Sequence, residues 1–368
     1  MQGRVFPIVD KPDVGQRWVR IDDFVLGEAQ PIDVDVVARS PRLSLYCIDF
    51  EDQTAVFVET PDDASLCDAV FMFEVQRSAA QRVVKIPLEA MHRIASQAAI
   101  QPDHIALIYS VGRCGSTMLS KAFGAFDGVA SLSEPDVMTQ LIWLWGRSGL
   151  DKPENEQLLR DCTIMQCLPT KLTGSTHWAL KFRSYVTIMG SMYGRCLPEA
   201  RSVFLYRSLI PWLRSYIRML GGGDIHAPCN PEYLSFMGSI VPQLSGRTEV
   251  PLLEVALCAW IGSMEAAIEM QRSGRQLFCM RYEELAKEPI ESITAVARFC
   301  GFGKPNMESL ARSVRQDSQE GSTLSRDTLG EIKVSLEAAD MEDISRMLAM
   351  HSSLISEATV LPGTFFPS

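Results

Sequence analysis

From residue 104 onward the chain alternates short apolar runs with longer segments of helical spacing, and this alternation is the feature that most constrains its fold. Strand–helix–strand alternation predicts a parallel sheet flanked by helices. In such sheets ligands bind beyond the carboxyl ends of the strands. The predicted strands are Ile105–Ser110, Trp178–Phe182, Ser202–Tyr206 and Gln276–Met280, and the predicted helices are Pro135–Arg147, Tyr185–Cys196, Pro211–Leu220, Leu252–Arg272 and Glu291–Cys300.

The first hundred residues have a different pattern. Short segments rich in Val, Phe and Ile are broken by Pro, Asp and Gln, which is typical of strands and turns. We therefore predict a β-rich N-terminal accessory domain over residues 1–100 and an α/β domain over residues 103–368. The predicted N-terminal elements are the strands Ser44–Phe50, Thr54–Thr60, Ala69–Val75 and Val83–Pro87, followed by the helix Leu88–Ala98.

Both the first hundred residues and the rest of the chain carry a net negative charge. The 368 residues carry a formal charge of −10, and residues 1–100, with 10 basic and 16 acidic side chains, hold −6 of it. A basic footprint for nucleic acid or another long polyanion is therefore not expected. An anion that binds this protein must be held by a local site.

The remaining composition favours a cytoplasmic protein. No apolar run follows Arg4 at the N-terminus, so a secretory signal is not expected. We also expect no membrane span, because no stretch approaches 18 uncharged apolar residues. The ten cysteines include no C-x-x-C pair and are interpreted as reduced core residues.

A glycine-bearing loop, S-V-G-R-C-G-S-T, joins the strand Ile105–Ser110 to a helical segment. The two glycines let backbone N–H groups approach one anion, the arginine supplies charge, and the hydroxyls can donate hydrogen bonds. The nucleotide-kinase loop instead ends in G-K-[ST], whereas no lysine follows the second glycine here. The candidate ligands of this phosphate loop are Gly112, Arg113, Cys114, Gly115, Ser116 and Thr117.

A second anion site is predicted at the end of the strand Ser202–Tyr206. Arg207 follows that strand, and Ser215 lies eight residues later on the next helical segment. A guanidinium and a hydroxyl can grip a phosphate through charge-assisted hydrogen bonds. Together with the phosphate loop, this predicts two discrete anion pockets.

The motif G-R-C-G-S-T-M-L resembles the 5′-phosphosulfate loop of sulfotransferases that use 3′-phosphoadenosine 5′-phosphosulfate, in the arginine-type form of the bacterial and Golgi-type branches. The strand–Arg207–Ser215 layout is similar to the 3′-phosphate site of that family. The stretch R-Y-E-E-L…P, followed by F-C-G, is similar to a further family motif, which implies that Tyr282 lies near the adenine. Arg326 stands where the family closes over the 3′-phosphate. The resemblance covers residues 104–330 and implies a P-loop sulfotransferase-like fold.

Three residues are the candidate catalytic groups. Glu134 precedes a predicted helix, in a context similar to the glutamate base of the protein-tyrosine sulfotransferases, and is predicted to take the acceptor proton. Lys181 and Arg113 are predicted to neutralise charge on the leaving oxygen. His226, in a glycine-rich loop, is the second candidate for the base.

The sequence thus predicts a sulfotransferase that moves a sulfuryl group to a hydroxyl or amine of a small-molecule acceptor and leaves adenosine 3′,5′-bisphosphate. No metal, nucleic acid or membrane partner is expected, and homo-oligomerisation stays open. Two alternatives remain, a P-loop metabolite kinase using ATP and magnesium and a non-catalytic nucleotide-binding protein of the same fold. Residues 1–100 could form a wall of the acceptor site, mediate dimerisation or recruit a partner.

Overall fold

The structure is a computed structural model of the chain, and it describes residues 1–13, 15, 17–221, 224–320 and 334–367. These residues contain two six-stranded sheets. Strands from residues 2–87 build the first sheet and strands from residues 105–365 build the second. Among the described residues, no helix combines the length and the apolar character needed to cross a membrane.

The first sheet is antiparallel, in the order β2-β1-β6-β5-β4, with β3 also pairing with β1. Its apolar residues form a core on each face, as expected for a covered sheet. The elements of this part are β1 Gln2–Asp10, β2 Val25–Leu26, β3 Gln30–Asp33, α1 Val36–Arg39, β4 Leu43–Asp49, β5 Thr54–Glu59, α2 Met72–Ala79, β6 Arg82–Pro87 and α3 Leu88–Gln97.

The second sheet is parallel, in the order β12-β11-β10-β7-β9-β8, and helices flank it. This confirms the predicted fold class. The elements are β7 Ile105–Ser110, α4 Ser116–Ala122, β8 Val129–Ser133, α5 Val137–Trp145, α6 Pro153–Leu172, β9 His177–Lys181, α7 Gly190–Cys196, β10 Arg201–Tyr206, α8 Leu209–Met219, α9 Pro231–Ile240, α10 Leu252–Arg272, β11 Leu277–Arg281, α11 Tyr282–Lys287, α12 Pro289–Phe299, α13 Met307–Arg315, α14 Ala338–His351 and β12 Thr364–Phe365.

The strand predicted over Ala69–Val75 is wrong, because residues 72–79 form helix α2. Met72, Phe73 and Gln76 are its buried residues, and their spacing places them on one helical face. A short apolar run satisfies the strand and the helix pattern equally well, so its tertiary contacts decide between them.

The two sheets share one hydrophobic core. A continuous cluster of buried side chains includes Leu45 and Phe57 of the first sheet together with Leu141 and Met165 from helices α5 and α6. Strand β4 packs against both helices. The N-terminal sheet is therefore fixed against the helices that follow β8.

Candidate active site

The strand registers bring the predicted site residues to one edge of the parallel sheet. Ser133, the last residue of β8, pairs with Lys181, the last residue of β9. Leu205 of β10 pairs with Ser110, the last residue of β7. Because parallel strands run in the same direction, the segments after β8, β7 and β10 leave the sheet side by side.

The phosphate loop has a backbone that most side chains do not adopt. Gly112, Arg113 and Gly115 have φ values of 75°, 49° and 82°. Positive φ comes without strain only at glycine, so Arg113 is held there by its surroundings. Trp212 contributes to that restraint, since its indole N–H donates to the Gly112 carbonyl over 2.9 Å.

Two arginines meet over the loop. The Arg113 Nε donates to Ser215 Oγ over 3.3 Å, and the Arg207 Nη1 donates to the Arg113 carbonyl over 3.3 Å. The guanidinium carbon of Arg207 lies 4.4 Å from the ring centroid of Tyr282, in cation–π contact. Burial and the neighbouring Arg207 charge lower the pKa of Arg113. The structure thus brings together four of the residues predicted to bind the donor.

Arg207 has an unused donor. Among the described residues, no group accepts a hydrogen bond from its buried Nε. A buried donor without a partner costs free energy, about 1–3 kcal/mol or more when charged, and an anionic ligand would recover that cost. The indole N–H of Trp260 donates to the Arg207 carbonyl over 3.1 Å and fixes the backbone of this arginine.

The remaining loop residues are buried against the sheet. Burial raises the pKa of the Cys114 thiol to about 11, while the charges of Lys181 and Arg207 act in the opposite direction. The Cys114 thiol donates to the Leu205 carbonyl over 3.4 Å. Ser116 and Thr117 are buried at the start of α4, and Thr117 Oγ1 accepts a hydrogen bond of 2.9 Å from Gln319.

Glu134 is at the centre of a second charged cluster. Its carboxylate contacts the Lys181 ammonium, and Arg183 Nε lies 3.4 Å from its second oxygen. Arg183 Nε is also 2.8 Å from Asp136 Oδ1, an ion-pair distance. Glu134 has a φ of 57°, and its N–H donates to the Lys181 carbonyl over 2.6 Å. Sequence reasoning identified Glu134 and Lys181 but left Arg183 without a role.

Two phenylalanines from the N-terminal part cover this cluster. The Lys181 ammonium lies 5.6 Å from the Phe71 ring centroid, and the Arg183 guanidinium carbon lies 4.3 Å from that of Phe73. Asp136 is buried, and this burial raises the pKa of its carboxyl despite the adjacent Arg183. Sequence reasoning missed Asp136, although it lies only two residues after Glu134 in the sequence. It also missed both phenylalanines, because their segment was predicted as a strand.

The two remaining predicted residues lie elsewhere. His226 Nε2 is 3.0 Å from Asp340 Oδ1, so the structure pairs it with helix α14. Arg326 lies outside the described residues. Of the two base candidates, Glu134 is the one in contact with Lys181.

No protein-family model matches the chain, and no curated protein matches its sequence. Among solved structures, the chain is similar to the sulfotransferase domain of a Synechococcus olefin synthase, at 15% identity and a TM-score of 0.36, over 67% of this chain and 94% of that one. It is similar to a sulfotransferase from Alicyclobacillus acidocaldarius at 13% identity and a TM-score of 0.36, over 67% of this chain and 94% of that one. It is also similar to a sulfotransferase from Mycobacterium tuberculosis at 12% identity and a TM-score of 0.35, over 70% of this chain and 78% of that one.

Proposed function

We propose that this protein is a sulfotransferase that moves a sulfuryl group from 3′-phosphoadenosine 5′-phosphosulfate to a hydroxyl or amine of a small-molecule acceptor. The observation that carries the proposal is the arginine pair over the phosphate loop. Arg113 and Arg207 lie side by side, and the buried Arg207 Nε lacks an acceptor within the described part of the chain. Two adjacent cations repel each other, and an anionic ligand would relieve that repulsion.

The residues present fit a donor with two anionic groups. Arg207 and Ser215 would hold the 3′-phosphate, and residues 112–117 would hold the 5′-phosphosulfate through backbone N–H groups and hydroxyls. Tyr282 packs close to the loop, because a Cβ on Gly115 would stand 3.1 Å from its ring. Gly115 is therefore required for this approach, and Tyr282 joins the loop to Arg207.

The donor supplies a sulfuryl group on an activated anhydride. Glu134 would accept the proton of the acceptor as the new sulfur–oxygen or sulfur–nitrogen bond forms. Lys181 and Arg113 would neutralise the negative charge left on the phosphate oxygen. Lys181 contacts Glu134 in the structure, so its ammonium must turn toward the phosphate loop to do this, and Glu134 then loses one of its two cationic partners.

We propose a small acceptor because the charge distribution disfavours a polyanion. The N-terminal hundred residues and the remainder are both net acidic, and the chain carries −10 overall. A long sulfated or phosphorylated chain would be repelled by that field, whereas a small neutral alcohol, phenol or amine would not.

Isothermal titration calorimetry with adenosine 3′,5′-bisphosphate tests the donor assignment. We expect Arg207→Ala to weaken binding at least tenfold, since a hydrogen bond to a charged group contributes about 1.5–3 kcal/mol. Arg214→Ala is the matched control, because Arg214 is exposed on the same helix as Ser215, and it should leave the affinity unchanged.

Two results would overturn the proposal. One is the absence of bisphosphate binding, and the other is equal affinity in the wild type and Arg207→Ala. Adenosine 5′-monophosphate, which lacks the 3′-phosphate, should bind more weakly than the bisphosphate and should not respond to Arg207→Ala. Preferential binding of ATP with magnesium would favour a kinase instead.

A further inference from the structure

The residues on both sides of Glu134 are hydrogen-bonded to the N-terminal part of the chain. Ser133 Oγ donates to the Val70 carbonyl over 2.7 Å. The Val19 N–H donates to Asp136 Oδ2 over 3.1 Å. The three-residue turn that carries Glu134 is therefore fixed at each end by backbone groups more than sixty residues earlier in the sequence.

The next helix is held in the same way. The Gln140 side chain of α5 accepts a hydrogen bond from the Ile48 N–H and donates one to the Ile48 carbonyl, each over 2.8 Å. It therefore pairs with both backbone groups of Ile48, which is the pairing that a residue of a neighbouring strand would make. Trp143, one turn further along α5, stacks on Trp18 with ring centroids 3.6 Å apart. Strand β4 is an edge strand of the N-terminal sheet, so Gln140 fixes α5 to that edge.

The backbone of Glu134 needs such support. A non-glycine residue with a φ of 57° is strained by about 1–2 kcal/mol, and it persists only where the surrounding structure holds it. The hydrogen bond from its own N–H to the Lys181 carbonyl is one restraint. The contacts of Ser133, Asp136 and Gln140 are the others, and all three lead to the N-terminal part.

We propose that the N-terminal sheet is a structural part of the active site, and that Asp136 and Gln140 are positioning residues that hold Glu134 in place. The placement of Glu134 follows from the contacts alone. The catalytic consequence rests on the proposed sulfotransferase function. Of the roles that the sequence left open for residues 1–100, which were a wall of the acceptor site, dimerisation, partner recruitment and a purely structural role, the first is the one that these contacts favour.

Asp136 has an additional effect through Arg183. The Arg183 Nε is 2.8 Å from Asp136 and 3.4 Å from Glu134, so Asp136 draws the guanidinium away from the base. In Asp136→Asn the guanidinium would shift toward Glu134 and stabilise its charged form. Glu134 would become a weaker base, and the acid limb of the pH–rate profile would move to lower pH.

The matched pair Gln140→Met and Gln166→Met tests the placement of Glu134. Both glutamines are buried, and both bind the backbone of β4, since Gln166 donates to the Leu45 carbonyl over 2.9 Å. Only Gln140 is on the helix that begins directly after the Glu134 turn. Hydrogen–deuterium exchange should therefore rise at least tenfold at the amides of residues 134 and 136–140 in Gln140→Met and stay within threefold of the wild type in Gln166→Met.

Bisphosphate affinity and turnover are measured separately from hydrogen–deuterium exchange. We expect Gln140→Met to keep the affinity for adenosine 3′,5′-bisphosphate within twofold, while turnover of radiolabelled donor with pooled phenols, alcohols and amines falls about tenfold. Equal exchange in the two variants would overturn the placement of Glu134 by the N-terminal sheet. Wild-type protein that does not bind the bisphosphate would overturn the proposed function, and the exchange result would still decide the placement.

Two further variants keep the test decisive if Gln140→Met does not fold. Ser133→Ala removes one hydrogen bond on the other side of Glu134 and should raise exchange at the amides of Glu134 and Asp136 about threefold. Asp136→Asn should shift the acid limb of the pH–rate profile, a readout that loss of fold alone would not move. Unchanged exchange in Ser133→Ala together with an unshifted profile in Asp136→Asn would also overturn the proposal.

Discussion

The two charged clusters at the edge of the parallel sheet differ in how their charges are balanced. Arg113 and Arg207 are adjacent, and in the described part of the chain neither forms an ion pair with a carboxylate. Lys181 and Arg183, in contrast, face Glu134 and Asp136, so that cluster contains two cations and two anions. The first arrangement, with no carboxylate of the described residues in ion-pair contact, favours an anionic ligand, whereas the second is already neutral.

Under the proposed function, this difference suits the two clusters to separate roles. An unbalanced pair of arginines is suited to bind a charged donor, because the ligand supplies the missing negative charge. The second cluster is suited to accept a proton, since it holds the Glu134 carboxylate against Lys181 and Arg183 under the rings of Phe71 and Phe73. Burial under the phenylalanines strengthens the interactions inside it.

The largest effect should come from removing the base. Glu134→Gln keeps the shape of the side chain and removes its ability to accept a proton. We expect turnover to fall about a thousandfold, within the range that general acid–base catalysis contributes, while the affinity for adenosine 3′,5′-bisphosphate stays within twofold. Turnover that survives Glu134→Gln would remove Glu134 as the base and make His226 the next residue to test.

The same substitution in each cluster should have opposite consequences for stability. Arg183→Met leaves the buried Asp136 without its cation, and removing one member of a buried pair costs about 3–5 kcal/mol. Arg207→Met removes one of two like charges, so the free energy of unfolding should stay within about 0.5 kcal/mol of the wild type, or rise. Denaturant unfolding measures both. An equal loss in the two variants would mean that the contacts of Arg207 with the Arg113 carbonyl and Tyr282 outweigh the repulsion between the arginines, and that Arg207 is not held ready for a ligand.

The sequence predicted the parallel sheet and its ligand edge because both follow from local patterns. Four apolar runs located four of its six strands within one or two residues, and helix α10 has the predicted bounds. The phosphate loop, Arg207 and Ser215 were found because their chemistry lies in contiguous motifs. Strand β8 was missed, since its five residues, V-A-S-L-S, are short and contain two serines.

The N-terminal half of the site could not be predicted. Phe71 and Phe73 contact Lys181 and Arg183 across about a hundred residues of sequence, and no local pattern reports such a pairing. Asp136 was visible beside Glu134, but only the fold shows that its partners are Arg183 and the Val19 N–H. Short motifs indicate which residue types a site contains, whereas long-range packing decides which of them are held together.

Both clusters contain a strained residue, and this permits a direct comparison. Glu134 and Arg113 have φ values of 57° and 49°. Glycine adopts this conformation without strain, so Glu134→Gly should be more stable than Glu134→Ala by about 1 kcal/mol, and Arg113→Gly more stable than Arg113→Ala by a similar amount. At an ordinary helical site such as Arg214 the order should reverse. Thermal unfolding of the three Gly/Ala pairs measures the difference. If Glu134→Ala is more stable than Glu134→Gly, as expected for the pair at Arg214, the backbone at position 134 is not strained.

The smallest expected effect is a pH dependence that belongs to the balanced cluster alone. Burial raises the pKa of the Asp136 carboxyl in the folded protein above its value in the unfolded chain. The stability that this group contributes is therefore fully present below its unfolded pKa and is lost as the pH rises through its folded pKa. The amide that replaces the carboxyl in Asp136→Asn does not titrate, so the unfolding free energy of the wild type relative to that of this variant should fall as the pH rises above about 4. If the stability of the wild type relative to Asp136→Asn instead rises with pH, the charge of Arg183 has a larger effect on the Asp136 carboxyl than burial does. Asp136 would then ionise at lower pH in the folded protein than in the unfolded chain.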